Sequence, residues 1–103
     1  MKTNRDPHTV DQIEEGFLRV YVPPYMRDEI RGYVLDHRPV GNFLTAILEN
    51  NFISGVLFAD TENKAALSGW AHLLYNYTPS VCHGSREKVK AWLTSYSVDE
   101  RKT

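Results

Sequence analysis

The chain carries one cysteine, Cys82, among 103 residues. An intramolecular disulfide is therefore excluded, as is a structural zinc site built on several thiolates, and a reducing compartment suits such a sequence. Long apolar runs are also missing. The most hydrophobic region, 43–59, is broken by Glu49, Asn50, Asn51 and Gly55, and it falls short of the roughly 20 apolar residues of a bilayer span. Residues 1–16 hold Lys2, Arg5, Asp6, Asp11, Glu14 and Glu15 but no apolar core like that of a signal peptide, so secretion and membrane insertion are not expected. Basic excess is lacking too: 12 Lys and Arg face 13 Asp and Glu, for a net charge of −1. That balance argues against a duplex nucleic-acid partner held by phosphate neutralisation. There is no internal repeat and no low-complexity tract.

What is present is a 42% hydrophobic, 12% aromatic sequence long enough for one domain and too short for two. Residues 1–16 are polar, contain Pro7 and read as a mobile N-terminal arm with at most a short helical turn near Val10–Ile13. Phe17 to Val22, aromatic and β-branched before Pro23-Pro24, reads as a short extended segment. Met26, Ile30, Tyr33 and Val34 then recur at helical spacing, and Arg38-Pro39-Val40-Gly41 reads as a turn. Val40, Phe43, Leu44, Ile47 and Leu48 follow the i, i+3, i+4, i+7, i+8 pattern of an amphipathic helix. Phe52, Ile53, Val56 and Leu57 continue that period as a short helix or a kinked extension. Asp60 is a suitable N-cap before the stripe Leu67, Trp70, Ala71, Leu74 and Tyr75, which Thr78-Pro79 ends. Ser85 caps a last helix carrying Val89, Trp92, Leu93 and Tyr96. The expected fold is all-α, a small bundle of four or five short helices with an extended N-terminal segment, spanning residues 17–97 before a charged tail at 98–103. The predicted core is Phe43, Leu44, Ile47, Leu48, Leu67, Trp70, Leu74, Val89, Trp92 and Leu93. Because Phe17–Val22 has no strand partner in the chain, a homo-oligomer is expected.

Residue types that carry chemistry are sparse. Cys82-His83 lacks further ligands at metal spacing, and neighbouring side chains diverge in an extended chain, so Cys82 reads as a small buried residue and no metal or cofactor is expected. His8, His37 and His72 add no HxxxH or HExxH pattern, and the scattered acids and histidines do not converge on one buried face, so no enzyme is expected. A ligand site is conceivable where one helix ends and the next begins. Tyr75, Asn76 and Tyr77 offer flat faces and an amide, while Gly84, Ser85, Arg86 and Lys88 offer free N–H groups and cations to an anion. Ordinary capping by Ser85 and edge packing by the tyrosines are the commoner roles of such residues. Tyr25, Arg27, Arg31 and Tyr33 on the first helix form a candidate protein interface, although core packing accounts for Tyr33 almost as well. The span 39–63 contains Glu49, Asp60 and Glu62 but no Lys or Arg, against a last helix made basic by Arg86, Lys88 and Lys90. A solvated face is the ordinary meaning of that asymmetry.

Pro23-Pro24-Tyr25-Met26, the run Pro39 to Asn51, Ala59-Asp60-Thr61-Glu62-Asn63, Leu74 to Pro79 and Cys82-His83-Gly84-Ser85 occur in this order. Together, over residues 20–95, they resemble a recurrent family of small proteins encoded by bacteriophages and prophages. His37-Arg38-Pro39-Val40-Gly41 departs from that family's Gly-Xaa-Pro-Pro-Gly, and His83-Gly84-Ser85 from its Trp-Gly-Ser. The resemblance implies an origin and a host-cytoplasmic location, not a mechanism. Small phage accessory proteins often antagonise host defence, so the expected function is binding and blocking a host antiviral defence protein. The alternative is an oligomeric sponge that sequesters a cyclic or ADP-ribose-type nucleotide messenger.

Overall fold

The computed structural model describes the backbone of residues 5–102 and the side chains of residues 5–95. Asp6 opens the first element: its carboxylate accepts the Thr9 N–H at 3.0 Å, and Pro7 takes the first helical position, where a missing N–H costs nothing. The result is α1 (Pro7–Arg19), which buries Ile13, Gly16 and Phe17. This corrects two expectations. Residues 7–16 are a packed helix instead of an arm, and Phe17, Leu18 and Arg19 form its last turn, leaving only Val20 to Pro23 extended before a 3₁₀ turn at Pro24–Met26.

Beyond that turn come α2 (Arg27–Asp36), α3 (Asn42–Leu48), α4 (Phe52–Phe58), α5 (Thr61–Ala65), α6 (Leu67–Tyr77), a second 3₁₀ turn (Ser80–Cys82) and α7 (Arg86–Lys102). Among the described residues the regular structure is helical without a strand, in seven α-helices where four or five were expected. The additional ones are α1 and the short α5, which Asp60 caps by accepting the Asn63 N–H at 2.8 Å. The backbone of 98–102, expected as a tail, continues α7. None of the described helices is long and apolar enough to cross a membrane.

Helix α1 lies on α6 at close range, since a Cβ on Gly16 would stand 2.6 Å from Leu73 and 2.7 Å from Tyr77. Around that contact the core collects Ile30, Tyr33, Leu44, Leu48, Trp70, Leu73 and Cys82. Of the predicted core, Phe43, Leu44, Leu48, Trp70, Leu74 and Val89 are buried, while Ile47, Leu67, Trp92 and Leu93 pack on its edge. Two buried polar groups of the core are paired: Trp70 Nε1 donates to Asn63 Oδ1 at 2.9 Å and the Tyr33 hydroxyl donates to the Cys82 carbonyl at 2.6 Å. His37 closes α2 in the left-handed conformation, φ 57°, and stacks on Trp92 at 4.0 Å. Trp92 Nε1 in turn donates to the Tyr33 carbonyl at 2.8 Å, which ties α7 to α2.

Ion pairs hold the outer side of α1. Arg5 grips Asp36 through bonds of 2.9 and 2.7 Å, and Arg31 grips Glu14 at 2.5 and 3.0 Å while covering the Phe17 ring at 4.7 Å. The hydrogen bonds from Arg5 and Arg31 hold the Asp36 and Glu14 carboxyls below their usual range. A carboxyl whose folded pKa is depressed contributes stability that is present above its unfolded value and is lost as the pH falls through the folded one. The Arg5 side chain is 44% exposed, so screening limits each pair to about 1 kcal/mol. The melting temperature is expected to drop once the pH passes below about 4, the ordinary carboxylate range. Asp36→Asn and Glu14→Gln together should flatten that drop when circular-dichroism melts are compared across the acid range.

Candidate functional site

Asn50 adopts the left-handed conformation after α3, φ 64°, and this lets the Asn51 N–H return to the Ala46 carbonyl at 2.8 Å. The Gly84 N–H donates to the Leu48 carbonyl at 2.7 Å, in a conformation (φ 119°) that favours glycine. These two bends bring the end of α3, the outer face of α6 and the loop before α7 around a cavity of about 450 Å³, lined by Ile47, Asn50, Ala71, His72, Leu74, Tyr75 and His83. His72 Nδ1 lies 2.9 Å from the Ser68 carbonyl, which can only accept, so Nδ1 carries a proton. Burial lowers the proton affinity of His83, and the nearby Lys88 lowers it further. Among the described residues no Arg or Lys lines the cavity. Its lining combines the apolar Ile47, Ala71 and Leu74 with Asn50, Tyr75 and two imidazoles.

The predicted ligand residues are distributed over several surfaces. Tyr75 is 83% exposed at the cavity. Asn76 is exposed and lends its carbonyl to Gln12 Nε2 at 3.4 Å, while Tyr77 is half-buried against Gly16 beneath α1. The Gly84 N–H is committed to Leu48, and Ser85 Oγ accepts the Lys88 N–H at 3.1 Å as an ordinary cap. Lys88 reaches back over Gly84. Arg86 opens on a second groove of about 350 Å³ between α3 and α7, where Glu49 and Lys90 also lie. The donors meant for an anion are therefore spent inside the fold or turned away from the tyrosine face.

The candidate interface on α2 needs correction. Tyr33 is fully buried, its hydroxyl bonded to Cys82, and cannot meet a partner. Arg27 and Arg31 lie over the Phe17 ring, and Arg31 is also paired with Glu14 and Asp28. Only Tyr25 of that set is exposed, its hydroxyl donating to Asp60. Cys82 is buried and its thiol is pushed up to about 11 by that burial, which leaves no reactive thiolate near neutral pH. Among the described residues no three His, Cys, Asp or Glu side chains gather as metal ligands would.

A further apolar surface lies on α4, where the sequence continues the helical period through Phe52, Ile53, Val56 and Leu57. In α4 it is Gly55 that faces inward, so near α3 that a Cβ there would stand 2.9 Å from Ile47. Phe52 (71%), Ile53, Leu57 (77%) and Phe58 are all more than half exposed. The signal in the sequence was Gly55 itself: a glycine amid an apolar helix marks the side on which another helix approaches. The apolar residues then project away. No family model, curated protein or solved structure matches the chain.

Proposed function

We propose that this chain is a binding protein without a catalytic centre, which acts by covering a surface of another protein with α4. One observation carries the reading: a seven-residue helix exposes Phe52, Ile53, Leu57 and Phe58. Side chains of this size offer roughly 400–600 Å² of apolar surface when mostly exposed, at the upper end of what a monomer leaves uncovered. Large exposed apolar side chains in a contiguous set mark association sites, and aromatic residues are favoured at their centre. The resemblance to phage-encoded proteins makes a host defence protein the target class. Sequestration of a nucleotide is less well supported, since the Gly84 and Ser85 donors are occupied and the cavity beside Tyr75 is lined by no cation.

The test is a double substitution, Leu57→Ser with Phe58→Ser. Both side chains are exposed, so the fold should keep its stability within about 0.5 kcal/mol. Capture of a specific protein from bacterial lysate should be lost, and hydrogen exchange across 52–58 should slow in the captured wild-type complex. A partner retained by the double variant, or one lost on Tyr75→Ala instead, would move the site to the cavity.

A further inference from the structure

Resting on that reading of α4, we infer that the partner's contacting element is a basic amphipathic helix, apolar anchors on one side flanked by arginine or lysine. The first ground is charge. From residue 39 to 63 the chain has no Lys or Arg, and Asp60 and Glu62 stand two and four residues after Phe58, with Lys64 as the first cation beyond them, in the last turn of α5. Asp60 is held by the fold, accepting from the Asn63 N–H at 2.8 Å and from the Tyr25 hydroxyl, and both bonds keep its carboxyl ionised. Glu62 is exposed and has no ion-pair partner among the described residues. The exposed Tyr25 sits within the electrostatic reach of Asp60, Glu62 and Tyr21, and Tyr21 is exposed as well. Two tyrosine faces beside two carboxylates form a surface that takes up a guanidinium or an ammonium.

The second ground is shape. A seven-residue helix is about 10 Å long, which matches two turns of a partner helix with anchors at i, i+3, i+4 and i+7. The described residues offer no sheet edge for strand addition. A helical partner satisfies its own backbone and contributes side chains alone. An anionic membrane surface is the wrong occupant, because Asp60 and Glu62 would face its negative charge. A second copy meeting α4 with its own α4 fits less well too, since that helix brings the same apolar set and no cation for Glu62.

Two synthetic helical peptides with identical leucine spacing, one with lysine and arginine at the polar positions and one with glutamate, test this by fluorescence anisotropy. The cationic peptide should bind at least ~10-fold more tightly at low ionic strength, and the difference should shrink in about 0.5 M salt. Asp60→Asn with Glu62→Gln should bring the two affinities together, since asparagine keeps the α5 cap. Equal binding of both peptides by the wild-type chain overturns the basic partner and leaves the α4 reading standing. Binding of neither peptide, or binding that survives Leu57→Ser with Phe58→Ser, overturns both. Preferential binding to phosphatidylserine vesicles, or an α4-dependent dimer in light scattering that excludes the peptide, overturns the inference in favour of a membrane or a second copy.

Discussion

Trp70→Ala should lower the stability of this chain by about 3–5 kcal/mol, a large part of what a domain of this length possesses. Trp70 is 1% exposed at the centre of the core, with Phe43 edge-on to its ring at 5.9 Å. Removing the indole leaves a cavity that Leu44, Leu73 and their neighbours are too constrained to fill. It also strands Asn63, a buried amide whose Oδ1 accepts the indole N–H. Trp70→Phe separates the two effects, because it restores most of the volume but not the donor. That variant should lose about 1–3 kcal/mol, the cost of leaving a buried acceptor unpaired. In thermal melts the alanine variant should fall by roughly 15–30 °C. A melting temperature unchanged by either substitution would place Trp70 outside the core.

Helix by helix, the periodic segments were legible and the tertiary choices were not. Val40 to Leu48 and Leu67 to Tyr75 satisfied the 3.6-residue period so fully that α3 and α6 follow from the sequence, and Asp60 and Ser85 marked helix starts through their side-chain oxygens. Helix α1 was missed because its apolar positions Val10, Ile13 and Phe17 are few and its charges many. Its stability comes from docking, where Gly16 meets Leu73 and Tyr77 and where Arg5 and Arg31 find Asp36 and Glu14. The same limit governed the site. Periodicity says that Phe52, Ile53, Val56 and Leu57 share a helix, but it does not say whether the shared face or the glycine beside it meets the neighbour. The loop at Gly84 and Ser85 reads as an anion cradle as long as its N–H groups are free, and only the Leu48 carbonyl, 36 residues away in sequence, takes that freedom from Gly84.

Two glycines in helix interiors should respond to alanine with opposite signs. By helix propensity alone each exchange gains up to ~1 kcal/mol, because glycine loses the most backbone freedom on folding. Gly32, in α2, has only the flexible side chain of Arg38 near its missing Cβ, at 3.5 Å, which is ordinary contact. Gly32→Ala should therefore stabilise. Gly69, in α6, supports the extended segment after α1: a Cβ there would stand 1.8 Å from the Tyr21 carbonyl oxygen and 2.9 Å from its carbon. A backbone carbonyl cannot rotate aside as a side chain does. Either α6 shifts away from its Trp70 packing or the segment 20–23 lifts, taking with it Val22 and Pro23, both fully buried. Overpacking of this kind costs about 1–3 kcal/mol and more when backbone must move, so Gly69→Ala should lose about 3 kcal/mol net. Denaturant titrations of the two variants side by side check both signs. If Gly69→Ala proved as stable as Gly32→Ala, the extended segment would not be seated on α6, and the course of the chain from α1 to α2 would need to be redrawn.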